Sequence, residues 1–330
     1  MNLLDGVSTL VDKIVKNKVI AIIGIEKNTG KTETLNYIVS KIKHLRKVAL
    51  TSIGTDGEEK DLVYGTLKPS VHVDLDFVYT TTDVFFKRKR ILSEILHVSK
   101  EHTSTGRLII ARALEPGRVI LSGPPSTDWM KRITRLLSAY ADIVIIDGAL
   151  SRFSQASPFI AEGIILATGA AYSLNKSEII RHTRYVYSLC MLPEIEDSEY
   201  QMLSKAENIM VYSGGEWKDA KVQSALHLSK LREMDIKNID RIYIPGALTD
   251  NVLKVLHDKE IIIQDFTKIF VSHETYTKYK PRIRVFKKAN IIGITVNPFS
   301  PTGYMLNSEE IITELKKYID IPIIDVRKVE

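Results

Sequence analysis

Thiol chemistry is almost absent from this 330-residue chain, which has one cysteine, Cys190. An internal disulfide or cysteine cluster is therefore impossible, and with no thiolates to join the eight histidines the zinc and iron–sulfur motifs lose their ligands. No uninterrupted apolar run approaches the roughly 18 residues needed to span a bilayer, so a transmembrane protein is not expected. The first helix candidate, Leu3 to Val15, carries Asp5, Asp12 and Lys13 and is followed by no small-residue cleavage site. A secretory signal is not expected, and a cytoplasmic location is. Low-complexity segments and Gly/Ser linkers are missing too, which favours packed lobes over tethered ones. No nucleophile-elbow motif surrounds any serine.

What is present is the composition of an ordinary globular protein, 44% hydrophobic and 26% charged. A prior of about 150 residues per domain suggests roughly two domains. The net charge of +6 is spread along the chain and points weakly to a polyanion. Lys87-Arg88-Lys89-Arg90, preceding Ile91, Leu92, Ile95 and Leu96, reads as the start of an amphipathic helix with a solvated basic face. The basic run Lys278, Lys280, Arg282, Arg284, Lys287 and Lys288 alternates partly with Ile283, Val285 and Phe286, as an exposed strand would. Nucleic acid is not the expected partner of either. His72, Asp74 and Asp76 share one face of a possible strand, for which an exposed strand is the simpler explanation than a metal site. Cys190 follows Tyr185, Val186 and Leu189 on an apolar helix and reads as core.

Short apolar runs, each followed by a turn residue and often by helical periodicity, form the pattern of βα units. Strands are expected at 18–24, 47–53, 142–147, 163–168, 208–212, 240–245, 260–264, 291–296 and 321–325. From Lys31, the spacing of Leu35, Ile38, Val39, Ile42 and Leu45 gives a helix one apolar stripe. Leu108–Ala113 and Val119–Leu121, joined by the turn Glu115-Pro116-Gly117, suggest an antiparallel hairpin in an insertion at about 60–125. The expected fold class is α/β: a mostly parallel sheet of the P-loop NTPase type in three αβα layers, with an inserted β-hairpin region and a second α/β lobe. Residues 1–170 would form the nucleotide-binding domain, and 171–330 the second lobe, packed on the first sheet or continuing it.

The most informative stretch is Val19-Ile20-Ala21-Ile22-Ile23-Gly24-Ile25-Glu26-Lys27-Asn28-Thr29-Gly30-Lys31-Thr32, where a buried strand runs into Gly-Lys-Thr at a helix start. This strongly resembles a P-loop. Amides of Lys27, Asn28, Thr29, Gly30, Lys31, Thr32 and Glu33 would surround phosphate oxygens at the positive end of the helix dipole. Gly30 permits close backbone approach, Lys31 can reach the β and γ phosphates, and the Thr32 hydroxyl is placed for magnesium. The match departs from Gly-x-x-x-x-Gly-Lys-Thr in having Ile25 at the first glycine position and Gly24 one step earlier. Glu26 occupies the place of the extra lysine of MinD-like ATPases, so a dimer-crossing lysine is not supported, although a homodimer stays open. Asp147, closing Ile143-Val144-Ile145-Ile146, is the expected metal-side carboxylate. Asp56, after Thr51-Ser52-Ile53-Gly54-Thr55, could hold metal or orient the attacking water, and is equally readable as a turn former. No guanine signature of the Asn/Thr-Lys-x-Asp kind occurs, so ATP with Mg2+ is the default. Asn297, at the end of Ile291–Val296, resembles the strand-end asparagine that meets the base in dethiobiotin-synthetase-like proteins, or it begins an Asn-Pro turn.

Four dispersed blocks, 24–36, 51–58, 146–152 and 244–250, together resemble the P-loop reactivase subunit associated with lysine 5,6-aminomutase. The resemblance implies an ATP-dependent helper, acting with a second subunit, for an adenosylcobalamin-dependent aminomutase of lysine fermentation. By nucleotide binding and hydrolysis it would open an enzyme trapped with inactive cobalamin and permit exchange. Two other classes remain: a small-molecule ligase or kinase resembling dethiobiotin synthetase, and a nucleotide-binding adaptor resembling molybdopterin-guanine-dinucleotide accessory proteins.

Overall fold

The computed structural model describes residues 3–53, 70–148, 156–225 and 238–328. The chain divides into two units, one comprising Met1–Ala156, Ile160–Arg184 and Ile291–Glu330, the other Ser157–Phe159 and Tyr185–Asn290. In chain order the first unit contains α1 (Leu3–Val15), β1 (Val19–Gly24), α2 (Lys31–Ile42), β2 (Val48–Ser52), β3 (Val71–Val73), β4 (Val78–Thr82) and α3 (Asp83–Arg88). There follow β5 (Ser93–Thr103), β6 (Gly106–Ala113), β7 (Gly117–Val119), α4 (Thr127–Leu137), β8 (Ile143–Asp147), β9 (Gly163–Gly169) and α5 (Lys176–Cys190), within which the division falls. The second unit holds α6 (Asp197–Leu203), β10 (Met210–Ser213), β11 (Glu216–Asp219), β12 (Arg241–Ile244), β13 (Leu248–Thr249), α7 (Asp250–Leu256), β14 (Glu260–Ile263), β15 (Ile269–Phe270), α8 (His273–Tyr279) and β16 (Arg282–Val285). The chain then returns to the first unit with β17 (Ile291–Asn297), α9 (Ser308–Lys316) and β18 (Ile323–Ile324).

The first unit is mixed α/β, built on a nine-stranded sheet in the order β18-β17-β9-β1-β8-β2-β4-β6-β5. Every pairing from β18 to β4 is parallel, and only β6 runs against its neighbours. The apolar run Val19–Gly24 is buried at every position, as a central parallel strand covered on both faces requires. On α2 the spacing of Leu35, Ile38, Val39 and Ile42 buries one stripe, each such side chain contributing roughly 1.5–3 kcal/mol. Leu45 does not extend that stripe: the helix ends at Ile42 and Leu45 is 61% exposed.

All nine expected strands are present, but three expectations need correction. Residues 171–330 are not one lobe, because β17 pairs with β9 and brings β18 with it into the first sheet. The hairpin is β5 with β6, turning at Ser104-Thr105, whereas β7 leaves to pair with β3. The inserted hairpin extends the main sheet through β4. The basic run ends helix α3 instead of starting one, since Lys89 is already extended and Ser93–Thr103 is a strand.

The second unit carries a five-stranded sheet, β11-β10-β12-β14-β16, parallel across β12, β14 and β16. Its core includes Ile195, Leu203, Tyr243, Ile262 and Phe286, with the Tyr243 and Phe286 rings stacked at 5.0 Å. Cys190 is buried there at 1% exposure, and burial pushes its thiol up to about 12. Among the described residues no helix is long and apolar enough to cross a membrane.

Candidate functional site

Strand β1 delivers the chain to a loop whose shape explains the irregular glycine spacing. Ile25 continues past the strand, its amide donating to the Ala167 carbonyl at 3.0 Å and its side chain buried. That position therefore belongs to the sheet and core. Gly24 forms the loop floor instead: a Cβ there would lie 2.4 Å from Thr29 Oγ1 and 2.9 Å from Lys31 Nζ. The loop then bends through Asn28 and Gly30, both left-handed at φ 62° and 89°. Helix α2 begins with the Thr34 amide donating to the Gly30 carbonyl at 2.8 Å.

Three loop groups converge on the Glu26 residue. Lys31 Nζ donates to its carbonyl at 3.1 Å, Thr29 Oγ1 donates to the same carbonyl at 2.8 Å, and the Lys27 amide donates to its carboxylate at 2.8 Å. Thr29 is thus a buried brace of the loop. Burial lowers the Lys31 pKa below the ordinary lysine value, while the charges of Asp147 and Glu26 pull the other way.

Asp147 closes β8 beside β1 and β2, opposite Ile22 and Ser52. It keeps some surface, yet dense surroundings desolvate its carboxyl and raise its pKa to about 6, the Lys31 charge opposing that rise. The sheet thereby brings together two desolvated, oppositely charged groups that sequence places 116 positions apart. Thr32, the second residue of α2, is partly exposed at the same helix start. Asp56 lies outside the described residues.

Asn297 ends β17 against the loop. Its Nδ2 donates to the Asn28 carbonyl at 3.4 Å, its Oδ1 accepts from the Phe299 amide at 3.1 Å, and a Cβ on Gly30 would come within 2.9 Å of its own. Glu33 is engaged elsewhere than at the loop: its carboxylate pairs with the Arg327 guanidinium, which lies 4.2 Å over the Phe299 ring. Thr34 and Thr295 join buried hydroxyls at 2.8 Å. Glu33, Thr34, Thr295, Asn297, Asp325 and Arg327 line a cleft too narrow to admit a water molecule. Sequence reasoning missed Thr295 and Arg327, since nothing local marks residues whose partners lie hundreds of positions away, and it missed Asp325, whose burial no local pattern announces.

His72 and Asp74 belong to an ion-pair set away from the loop. Lys43 meets Asp74 at 3.0 Å and His72 meets it at 3.4 Å, and the Lys43 hydrogen bond holds the Asp74 carboxyl below its usual range. No cluster of three or more metal-binding side chains occurs among the described residues.

As chemistry, the loop offers a desolvated ammonium whose acceptor is a neutral carbonyl, a left-handed glycine at a helix start, and a desolvated carboxylate beside them. This donor set fits a phosphate chain bound with a divalent cation, because each charge would then meet an opposite one. Lys31 would hold phosphate oxygens, and Thr32 and Asp147 the cation. No family model, curated protein or solved structure matches the chain.

Proposed function

We propose that the chain is a P-loop NTPase that binds and hydrolyses Mg-ATP at the loop between β1 and α2. The observation that carries this reading is the Lys31 ammonium folded onto the Glu26 carbonyl beside the desolvated carboxyl of Asp147. A lysine desolvated in this way gains more from phosphate oxygens than from one neutral carbonyl. On binding, Lys31 exchanges that carbonyl for the terminal phosphates, Gly30 lets the main-chain amides approach, and Thr32 and Asp147 hold magnesium. The ion supplies charge neutralisation across the phosphates. Loops around such a site can differ between triphosphate and diphosphate states, which makes the unit suited to switching.

The role within that activity is proposed from the four sequence blocks: a reactivase subunit for an adenosylcobalamin-dependent aminomutase, working with a second subunit. A ligase or kinase would need an acceptor site, and no convincing set of acceptor-binding residues is legible in the sequence. Titration calorimetry with Mg-ATP should give binding that Lys31→Ala weakens at least about 100-fold while the protein stays folded. Unchanged affinity in folded Lys31→Ala would end the P-loop reading. Phosphate release without an acceptor should be slow and should quicken with the aminomutase. Consumption of ATP only with a small-molecule acceptor would select the ligase or kinase.

A further inference from the structure

The phosphate loop lies where β1 ends; at the opposite edge of the same sheet, β2, β4 and β8 begin. There the connections from α2 to β2, β3 to β4 and α4 to β8, with Arg112 of β6, surround a groove of about 600 Å³, a size usual for binding sites. Buried Val48 and Phe77 line it. The Lys47 carbonyl accepts from the Asp142 and Ile143 amides at 2.9 and 3.1 Å, and the Lys47 amide donates to the Asp142 carboxylate at 2.9 Å, so two of the connections are pinned together. Two cations on the groove have carboxylate partners: Lys43 meets Asp74 at 3.0 Å and Arg112 meets Glu94 at 3.2 Å. Two others have none among the described residues. Arg46 donates to the neutral Val15 carbonyl at 2.9 Å, and Lys47 Nζ has neither an ion pair nor a hydrogen bond there.

Beside these cations stand apolar side chains that the fold leaves in water. Leu45, Leu75 and Tyr140 line the same groove and are 61%, 56% and 37% exposed. One exposed leucine is ordinary, whereas three apolar side chains on one basic groove mark a contact surface. A small anion held between Arg46 and Lys47 would leave them wet; a polypeptide laid across the groove covers them. A nucleic-acid backbone fits less well, because Asp76 and Asp142 interrupt the positive surface and Tyr140 is the one exposed aromatic ring for a base to stack on. We propose that this groove receives an acidic segment of a partner protein, its carboxylates meeting Arg46 and Lys47 and its apolar side chains covering Leu45, Leu75 and Tyr140. The inference stands apart from the nucleotide reading, since no residue of the groove belongs to the phosphate loop.

The test selects short random peptides displayed on phage against the immobilised full chain, then measures the most enriched one, made synthetically and labelled, by fluorescence anisotropy. Enriched sequences should combine Asp or Glu with Leu, Phe or another apolar residue. Binding should weaken as salt is added, and at least about 10-fold in Arg46→Glu/Lys47→Glu, where attraction becomes repulsion. Leu45→Ser/Leu75→Ser should weaken it at least about 3-fold through lost apolar contact. Lys47→Glu alone, whose side chain has no partner to lose, should weaken it at least about 3-fold and carries the test if a double variant melts differently from the parent. No enrichment over a blank support, enrichment without acidic residues, or undiminished binding in the folded variants overturns the proposal. Tighter binding of single-stranded oligothymidine than of any selected peptide also overturns it, assigning the groove to nucleic acid. Calorimetry with Mg-ATP reports on the loop separately, so failure there leaves the groove untouched, and failure of the peptides leaves the loop so.

Discussion

Asp147 and Lys31 carry opposite charges in a place that disfavours both, and this gives the site a pH signature. Burial raises Asp147 from 3.8 to about 6. The folded chain then holds that proton more tightly than the unfolded chain, so the group's contribution to stability is fully present below 3.8 and lost as pH rises through about 6. The loss amounts to roughly 3 kcal/mol for a shift of this size. Asp147→Asn removes the effect. Thermal melts of the two proteins should diverge as pH rises from about 4 to about 6.5, with the variant the more stable at neutral pH. Mg-nucleotide binding should respond oppositely, weakening below about pH 6 because the cation needs the ionised carboxylate. Parallel stability curves for the two proteins would show that Asp147 is not desolvated. That Asp147 would close a strand at the site was legible from its apolar run, whereas Asp325 and Arg327 were not. The partner of Arg327 is set by tertiary packing against Glu33, 294 positions away, and the burial of Asp325 by the fold around it.

At the scale of elements, the strand–loop–helix unit depends on a backbone turn that only one residue type allows. Gly30 is left-handed at φ 89°, and a Cβ there would strike Asn297. Gly30→Ala should destabilise the protein by about 1–3 kcal/mol and abolish nucleotide binding, checked by denaturant unfolding and calorimetry. Wild-type stability in that variant would mean that the turn is not held as described. Elements were readable where the signal was a buried apolar run, as in β1, β8, β9 and β17. Strand β5 was not, because Ser93–Thr103 breaks period-two alternation with irregularities at Ile95/His97 and Val98/His102. Its approach, through Ile91, Leu92, Ile95 and Leu96, mimics helical spacing. The early glycine of the loop was visible, but its reason was not: residue 25 remains hydrogen-bonded to β9 after β1 has ended.

For the whole molecule, the return of β17 and β18 to the first sheet decides what can be cut. Strand β9 lies between β1 and β17, and its seven residues are all buried. A chain ended at residue 170, where sequence reasoning put the domain boundary, would expose that strand and lose Asn297. It should aggregate or lack a cooperative melt by circular dichroism, and a monomeric, cooperatively folding product would contradict this pairing. The boundary was misread because nothing in the apolar run 291–297 says which sheet it joins. The sole cysteine supplies a clock for the other unit. With its thiol at about 12 and 1% exposed, Cys190 is almost wholly protonated and screened at pH 8, so an alkylating reagent can modify it only when its surroundings open. Mass spectrometry of iodoacetamide labelling over hours would time those openings with no introduced probe. Modification at the rate of a free thiol would show that the helix carrying Cys190 does not stay packed.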